Sequence, residues 1–200
     1  MTPKPDVSEQ RTAEIIAAAT QVFAEKGFDG ATMADIAAQA GINKATIYLY
    51  FNSKDDLIQA IAEELFTQEL ANLKTVRDMS GTATARLKAY YEMLIAEEAA
   101  VLPLMPIIYE FYALGLRRKD VRAVITEYLR AVEEMLETII QEGIEAGEFA
   151  PTEARKAAWA LDALLSGIFL HWVYAPEEVD VSAQLRYSVR LIFQGLLNHD

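Results

Sequence analysis

The chain contains no cysteine and only two histidines, His171 and His199, in 200 residues. Disulfide frameworks, thiolate metal sites and a cysteine nucleophile are thereby excluded. His171, set between Leu170 and Trp172, reads as a core or interface residue. Glu97-Glu98 and Glu133-Glu134 have no histidine at helical spacing and read as solvated helix faces, so neither a metal nor a cofactor is expected. No glycine-rich phosphate loop is present, and catalysis finds no constellation to rest on. No run of 18 uncharged apolar residues occurs, which argues against a membrane partner. Met1–Asp6 lacks the apolar stretch of a signal peptide, making the cytoplasm the expected compartment. Basic residues are scarce as well. Eighteen lysines and arginines stand against 30 acidic residues, a net charge of −12, and residues 1–60 alone hold five against eight. Any polyanion must therefore be met by a local footprint, confined to Lys44, Lys54 and the more remote Lys4 and Arg11.

What is present is helical periodicity from end to end. Neither alternating strand patterns nor internal repeats interrupt it, and the expected class is all-α with about nine helices. The most telling stretch is Thr32 to Lys54. Thr32 with Asp35 three residues on forms a capping-box start, and Met33, Ile36, Ala37 and Ala40 keep a helical apolar period up to Gly41. Glycine tolerates the left-handed backbone of a helix end, and Asn43 can cap a second helix at once. The link is then Gly41, Ile42 and Asn43, which defines a helix-turn-helix. In the second helix, expected over Lys44 to Phe51, Ile47 and Phe51 share the inward face. Ala45 and Leu49 then point outward, flanked by Lys44 and Tyr48 on one side and Thr46 and Tyr50 on the other. A small residue, an apolar contact for a thymine methyl and several polar tips make an edge suited to a DNA major groove. Packing of Tyr48, Leu49 and Tyr50 against a neighbouring helix is the competing reading of the same pattern.

The flanks decide between them. Ile15, Ala19, Val22 and Phe23 form a stripe ending at Gly27, and Ser53 with Asp56 makes another capping pair. The run from Arg11 to Ile61 resembles the N-terminal domain of the TetR family of bacterial transcriptional regulators. The resemblance lies in Ala19, Phe23, Lys26-Gly27-Phe28, Thr32, Asp35-Ile36-Ala37, Ala40-Gly41, Ile47-Tyr48, Tyr50-Phe51, Ser53-Lys54 and Leu57. It implies that Thr32 and Lys54 bind phosphates at the starts of their helices. It also implies that Lys44, Ala45, Thr46, Tyr48, Leu49 and Tyr50 face the groove of a double-stranded operator. The chain departs from the usual family pattern at Asn43-Lys44-Ala45 and at the apolar Leu49, which leaves the base sequence read by this helix open.

Beyond residue 55 the helical period continues in the runs Leu57–Val76, Ala83–Val101, Leu104–Leu116, Val121–Ile144, Ala154–Tyr174 and Val181–Leu197. The division expected is a DNA-binding domain over 1–55 and a body over 56–200, with the boundary inside the long fourth helix. The body is rich in aromatics and methionines. Most of these serve as core in a helical domain. The resemblance, weaker here, implies a pocket for a small effector, and Tyr91, Leu94, Met105, Tyr109, Tyr112, Tyr128, Phe169 and Trp172 are its candidate lining. The segment Leu102-Pro103-Leu104-Met105-Pro106 breaks helices near them, and Glu110 beside Tyr109 is either a selector of a cationic or hydroxylated guest or a plain exposed acid. In the last two helices, Leu164, Gly167, Ile168, Leu185, Val189, Ile192 and Phe193 are the expected homodimer interface. The family implies a two-fold dimer, and an inverted-repeat operator requires one. Three functions remain open at this point: an effector-released regulator, a DNA-binding adaptor whose body holds a protein partner, and an all-helical carrier or enzyme for apolar molecules.

Overall fold

The computed structural model describes residues 7–196 of the chain, so Lys4 and His199 lie outside the described residues. Among the described residues there is no β-strand; ten α-helical segments, two of them only four residues long, and one 3-10 turn carry the fold. They group into two compact units, residues up to Phe66 with Pro103–Ile125, and Thr67–Leu102 with the residues from Thr126 on.

The first unit is built on α1 (Val7–Gly30), α2 (Met33–Gln39), α3 (Lys44–Ile47) and the first part of α4 (Lys54–Asp78). The apolar stripe of α1 supplies Ile15, Ala19, Val22 and Phe23 to a core completed by Ile36, Ala37, Ile47, Leu57 and Ile61, all nearly or wholly buried. Helix α1 is interrupted at Gly27, whose φ of 69° is the left-handed conformation that only glycine adopts freely. The unit also includes α7 (Met105–Gly115) and the start of α8 (Lys119–Glu145), which extends it beyond the 1–55 expected from sequence. The reason is packing at the middle of α4. Phe66 meets Phe111 edge-on with ring centroids 5.6 Å apart, and Arg118 donates to the Gln59 side-chain oxygen at 2.9 Å. Pro106 sits in the first turn of α7, where a missing N–H costs no helical hydrogen bond. Gly115 lets α8 come close, because a Cβ there would stand 2.5 Å from Ile125 Cδ1.

The second unit holds the rest of α4 and α8 together with α5 (Ala83–Ala96), the single turn α6 (Glu98–Val101), α9 (Ala154–Tyr174) and α10 (Val181–Leu196). The run read as Ala83–Val101 therefore divides at Glu97, and a 3-10 turn, Leu102–Leu104, follows α6. Leu87, Leu136, Ile139, Ile140, Leu161 and Leu185 form the centre of its core. Two polar fastenings fix α5. The Glu148 carboxylate accepts from the backbone N–H groups of Ala83 and Thr84, each at 3.0 Å, and so caps the helix from the loop after α8. Burial pushes this carboxyl up, but the hydrogen bonds from Thr84 and Ala83 outweigh it and hold it below the usual range. Arg86, almost fully buried, pairs with the Glu142 carboxylate and donates to the Arg77 carbonyl at 2.6 Å. Gly143 makes room for Phe149, whose ring would lie 2.3 Å from an added Cβ.

Candidate DNA-binding face and effector cluster

The helix-turn-helix is assembled by local capping. Asp35 N–H donates to Thr32 Oγ1 at 3.2 Å, while Thr32 N–H donates to Asp35 Oδ2 at 3.0 Å, closing the capping box. Lys26 Nζ, 2.7 Å from Asp35, together with the bonds from Thr32, holds the Asp35 carboxyl down at about 2. After α2 the chain turns at Gly41, with φ 67°, and Asn43 caps α3 by accepting from Thr46 N–H at 2.8 Å. The regular part of α3 is shorter than expected. From Tyr48 to Phe51 it continues as turns closed by bonds such as Tyr50 N–H to the Ile47 carbonyl at 3.0 Å.

This arrangement presents the expected edge. Ile47 is wholly buried and Phe51 nearly so, whereas Leu49 is 82% exposed and Tyr48 44%. Lys44 and Ala45 are exposed beside them, with Thr46 and Tyr50 half-buried on the flank. Thr32 is exposed at the start of α2, its hydroxyl committed to Asp35. Lys54 behaves differently from an open phosphate ligand. Its Nζ donates to the carbonyls of Phe28 at 2.6 Å and Ala31 at 2.9 Å and lies 4.4 Å from the Phe28 ring centre. The side chain thus fastens the α1–α2 turn to the start of α4. Arg11 pairs with Glu14 and Lys26 with Asp35. Among the described residues of 7–60, Lys44 is the cation with neither ion pair nor hydrogen bond.

The candidate effector residues divide between the units. Met105, Tyr109 and Tyr112 lie on α7 in the first, where Tyr109 and Tyr112 meet edge-on at 5.8 Å and Glu110 is half-buried. Tyr91, Leu94, Tyr128, Phe169 and Trp172 lie in the second, packed in or against its core. Two acids that sequence reasoning passed over, Glu69 and Asp162, stand near Tyr90 in the same unit. Tyr90 and Tyr91 are both buried, with rings 5.3 Å apart, and Glu69 and Asp162 stand close enough to raise the Tyr90 hydroxyl, after burial and Tyr128. Burial, and then the charge of Glu133, raises Asp162 to about 6. The signal for Asp162 was legible: it is the single acid in the apolar run of α9.

The expected dimer residues are placed unevenly. Leu185 is wholly buried, and Ile168, Val189 and Phe193 nearly so, within the chain's own core. Leu185, Val189 and Phe193 line a groove of about 480 Å³ against α5 in the same chain. Leu164, Gly167 and Ile192 remain partly open. The outward faces of α9 and α10 instead carry Trp159, Leu170, Tyr174, Tyr187 and Leu191, each more than 40% exposed, with His171 exposed on α9. Apolar periodicity identifies a helix's greasy faces but does not say which of two such faces meets its own core.

A capped helix-turn-helix with a buried anchor and an exposed edge, followed by a helical body, defines a DNA-binding transcriptional regulator. Residues 15–61 match the model of bacterial regulatory proteins of the tetR family, and residues 83–194 match the C-terminal model of BetI-type transcriptional repressors. The chain belongs to the TetR family. It is 30% identical over 207 residues to the uncharacterised HTH-type transcriptional regulator YfiR of Bacillus subtilis, covering 100% of this chain and 99% of that one. A regulator from Saccharomonospora viridis in complex with choline shares the fold with a TM-score of 0.86 at 17% identity, over 96% of this chain and 100% of that one. FadR of Bacillus subtilis in complex with stearoyl-CoA aligns with a TM-score of 0.68 at 26% identity, over 92% and 98%.

Proposed function

We propose that this chain is a cytoplasmic homodimeric repressor that binds an inverted-repeat operator and is released by a small, largely apolar or aromatic effector. The observation that carries the reading is the exposed edge Lys44, Ala45, Tyr48 and Leu49 mounted on the buried Ile47. Dimerisation is supported by α9, of whose most apolar 18-residue window only 22% is buried within the chain, and by the exposed Tyr187 and Leu191 of α10. Two such faces from two copies can cover each other as a self-complementary interface. Effector control is supported by the small molecules bound in related structures, choline in one and stearoyl-CoA in another. It is supported also by α4, one continuous helix that belongs to both units. A ligand preferring the DNA-free form of the body then lowers operator affinity, and by linkage the operator lowers affinity for the ligand.

The test begins with operator selection from random DNA, followed by ligand titration with and without the selected duplex. The proposal expects weaker ligand binding on DNA. Equal affinities for every ligand that stabilises the free protein would remove the switch and favour a body that binds a protein partner. Replacing Tyr187 and Leu191 together by Glu should yield a folded monomer with sharply reduced operator affinity. A variant that stays dimeric would remove α10 from the interface.

A further inference from the structure

The helix-turn-helix is short of cations that could meet a phosphate. Arg11 and Lys26 are paired with acids and Lys54 is engaged by the carbonyls of Phe28 and Ala31, which leaves Lys44. The compact unit that contains these helices holds a second basic segment, contributed from far along the chain. Between α7 and α8 runs Leu116-Arg117-Arg118-Lys119-Asp120-Val121-Arg122, whose four cations raise the lysines and arginines of the described part of the unit from four to eight. Arg118 fixes this turn beside the DNA-binding helices. Its guanidinium lies 3.8 Å from the Asp56 carboxylate and donates to Gln59 at 2.9 Å, both on the first two turns of α4. Asp56 in turn accepts from Asn52 N–H at 3.0 Å, in the loop that joins α3 to α4.

Two of the four cations are thereby committed. Arg118 has Asp120, Asp56 and Asp55 acting on it, and Arg122 donates to the carbonyls of Gly115 and Leu116. Arg117 and Lys119 are different. Both are exposed, and among the described residues neither side chain forms an ion pair or a hydrogen bond. A chain with 30 acidic residues offers ample partners, so two cations flanking a docked arginine and taking none are open to an anion from outside. We propose that the α7–α8 turn, through Arg117 and Lys119, is a second contact to the phosphate backbone of operator DNA, outside the helix-turn-helix. DNA is the favoured partner because the turn belongs to the unit that carries the reading edge and is fastened to the helix that follows that edge. Such a contact adds affinity and fixes register without reading bases. The inference rests on the DNA-binding regulator reading above and adds a contact to it.

Arg117→Gln with Lys119→Gln tests it in the full chain, with operator affinity measured by fluorescence anisotropy over a salt series. Each phosphate contact contributes about 0.9 to the slope of log K against log salt, so the loss of two residues in each of two subunits should lower the slope by about 3.6. Affinity near 0.1 M salt should fall at least about tenfold. Binding to random duplex should weaken in parallel and the base preference should persist, because phosphates carry no sequence. The melting temperature should stay that of the parent, since both side chains are exposed. Arg117→Lys with Lys119→Arg keeps both charges and should keep the slope. Lys74→Gln with Arg130→Gln makes the same change in net charge at exposed positions of the other unit and should leave the slope unchanged. A slope in the Arg117 and Lys119 variant equal to the parent's, or an equal loss in the Lys74 and Arg130 variant, would overturn the proposal. Either result beside an intact selected operator would leave the regulatory reading standing. If no operator is selected, that reading falls while the salt series on random duplex still decides the role of the turn, and absence of any duplex binding removes both.

Discussion

Lys54 offers a clean separation between a structural fastening and a DNA contact. Its ammonium donates to two carbonyls, those of Phe28 and Ala31, and sits over the Phe28 ring. Lys54→Met keeps most of the stem and removes the charge and both donors. A hydrogen bond from a charged donor contributes about 1.5–3 kcal/mol, and the half-exposure of this side chain discounts each of the two to about 1–1.5 kcal/mol, for a loss of roughly 2–3 kcal/mol. For a chain of this length that is a fall in melting temperature of about 4–12 °C. Lys54→Arg should recover only part of it, since a planar guanidinium does not reproduce a compact three-donor head. The distinguishing measurement is the salt dependence of operator binding. A lysine that neutralises a phosphate contributes about 0.9 to the slope of log K against log salt for each subunit. The fastening role predicts that Lys54→Met, measured well below its melting temperature, lowers stability and leaves the slope unchanged. A lower slope with unchanged stability would refute the reasoning and make Lys54 a phosphate ligand through its side chain.

The two faces of the second helix should respond in opposite ways. Ile47→Ala, at a wholly buried position, should cost about 2–5 kcal/mol in chemical denaturation. Leu49→Ala, at an exposed one, should leave stability within about 0.5 kcal/mol and weaken operator binding in a mobility-shift assay. Gly143→Ala should destabilise the body by about 1–3 kcal/mol, because the new methyl collides with the Phe149 ring, and Phe149→Leu should relieve part of the effect. The Asp35 carboxyl, held at about 2 by Lys26 and Thr32, contributes stability that is present above the ordinary value of 3.8 and lost as pH falls towards 2. Asp35→Asn should therefore flatten that acid limb in a denaturation series while lowering stability at neutral pH.

How much of this was legible in the sequence follows from the range of the interactions. The capping box of Thr32 and Asp35, the turn at Gly41, the cap at Asn43 and the split between Ile47 and Leu49 are all set within four residues, and the sequence pattern predicts each. The role of Lys54 was not legible, because its partners lie 26 and 23 residues earlier, in a turn whose carbonyls carry no side-chain signature. The α7 helix reads correctly as a helix, yet its place in the first unit depends on Phe66 meeting Phe111, and helical period alone gives no such pairing. The same limit applies to Leu185 and Phe193. Both fall on an apolar stripe of α10, and only packing shows that this stripe lines the chain's own core while Tyr187 and Leu191 are left outside. Asp162 was visible as a lone acid in an apolar helix, but its raised carboxyl comes from burial and from Glu133 on another helix.

The central claim, that Lys44 to Tyr50 is the DNA-reading edge of a two-fold regulator, is tested most directly by footprinting the full chain on its selected operator. The account predicts two protected half-sites related by a dyad, with protection lost in Tyr48→Ala while the variant's melting temperature stays that of the parent. Equal protection by Tyr48→Ala and the parent, or a single asymmetric protected site, would contradict it.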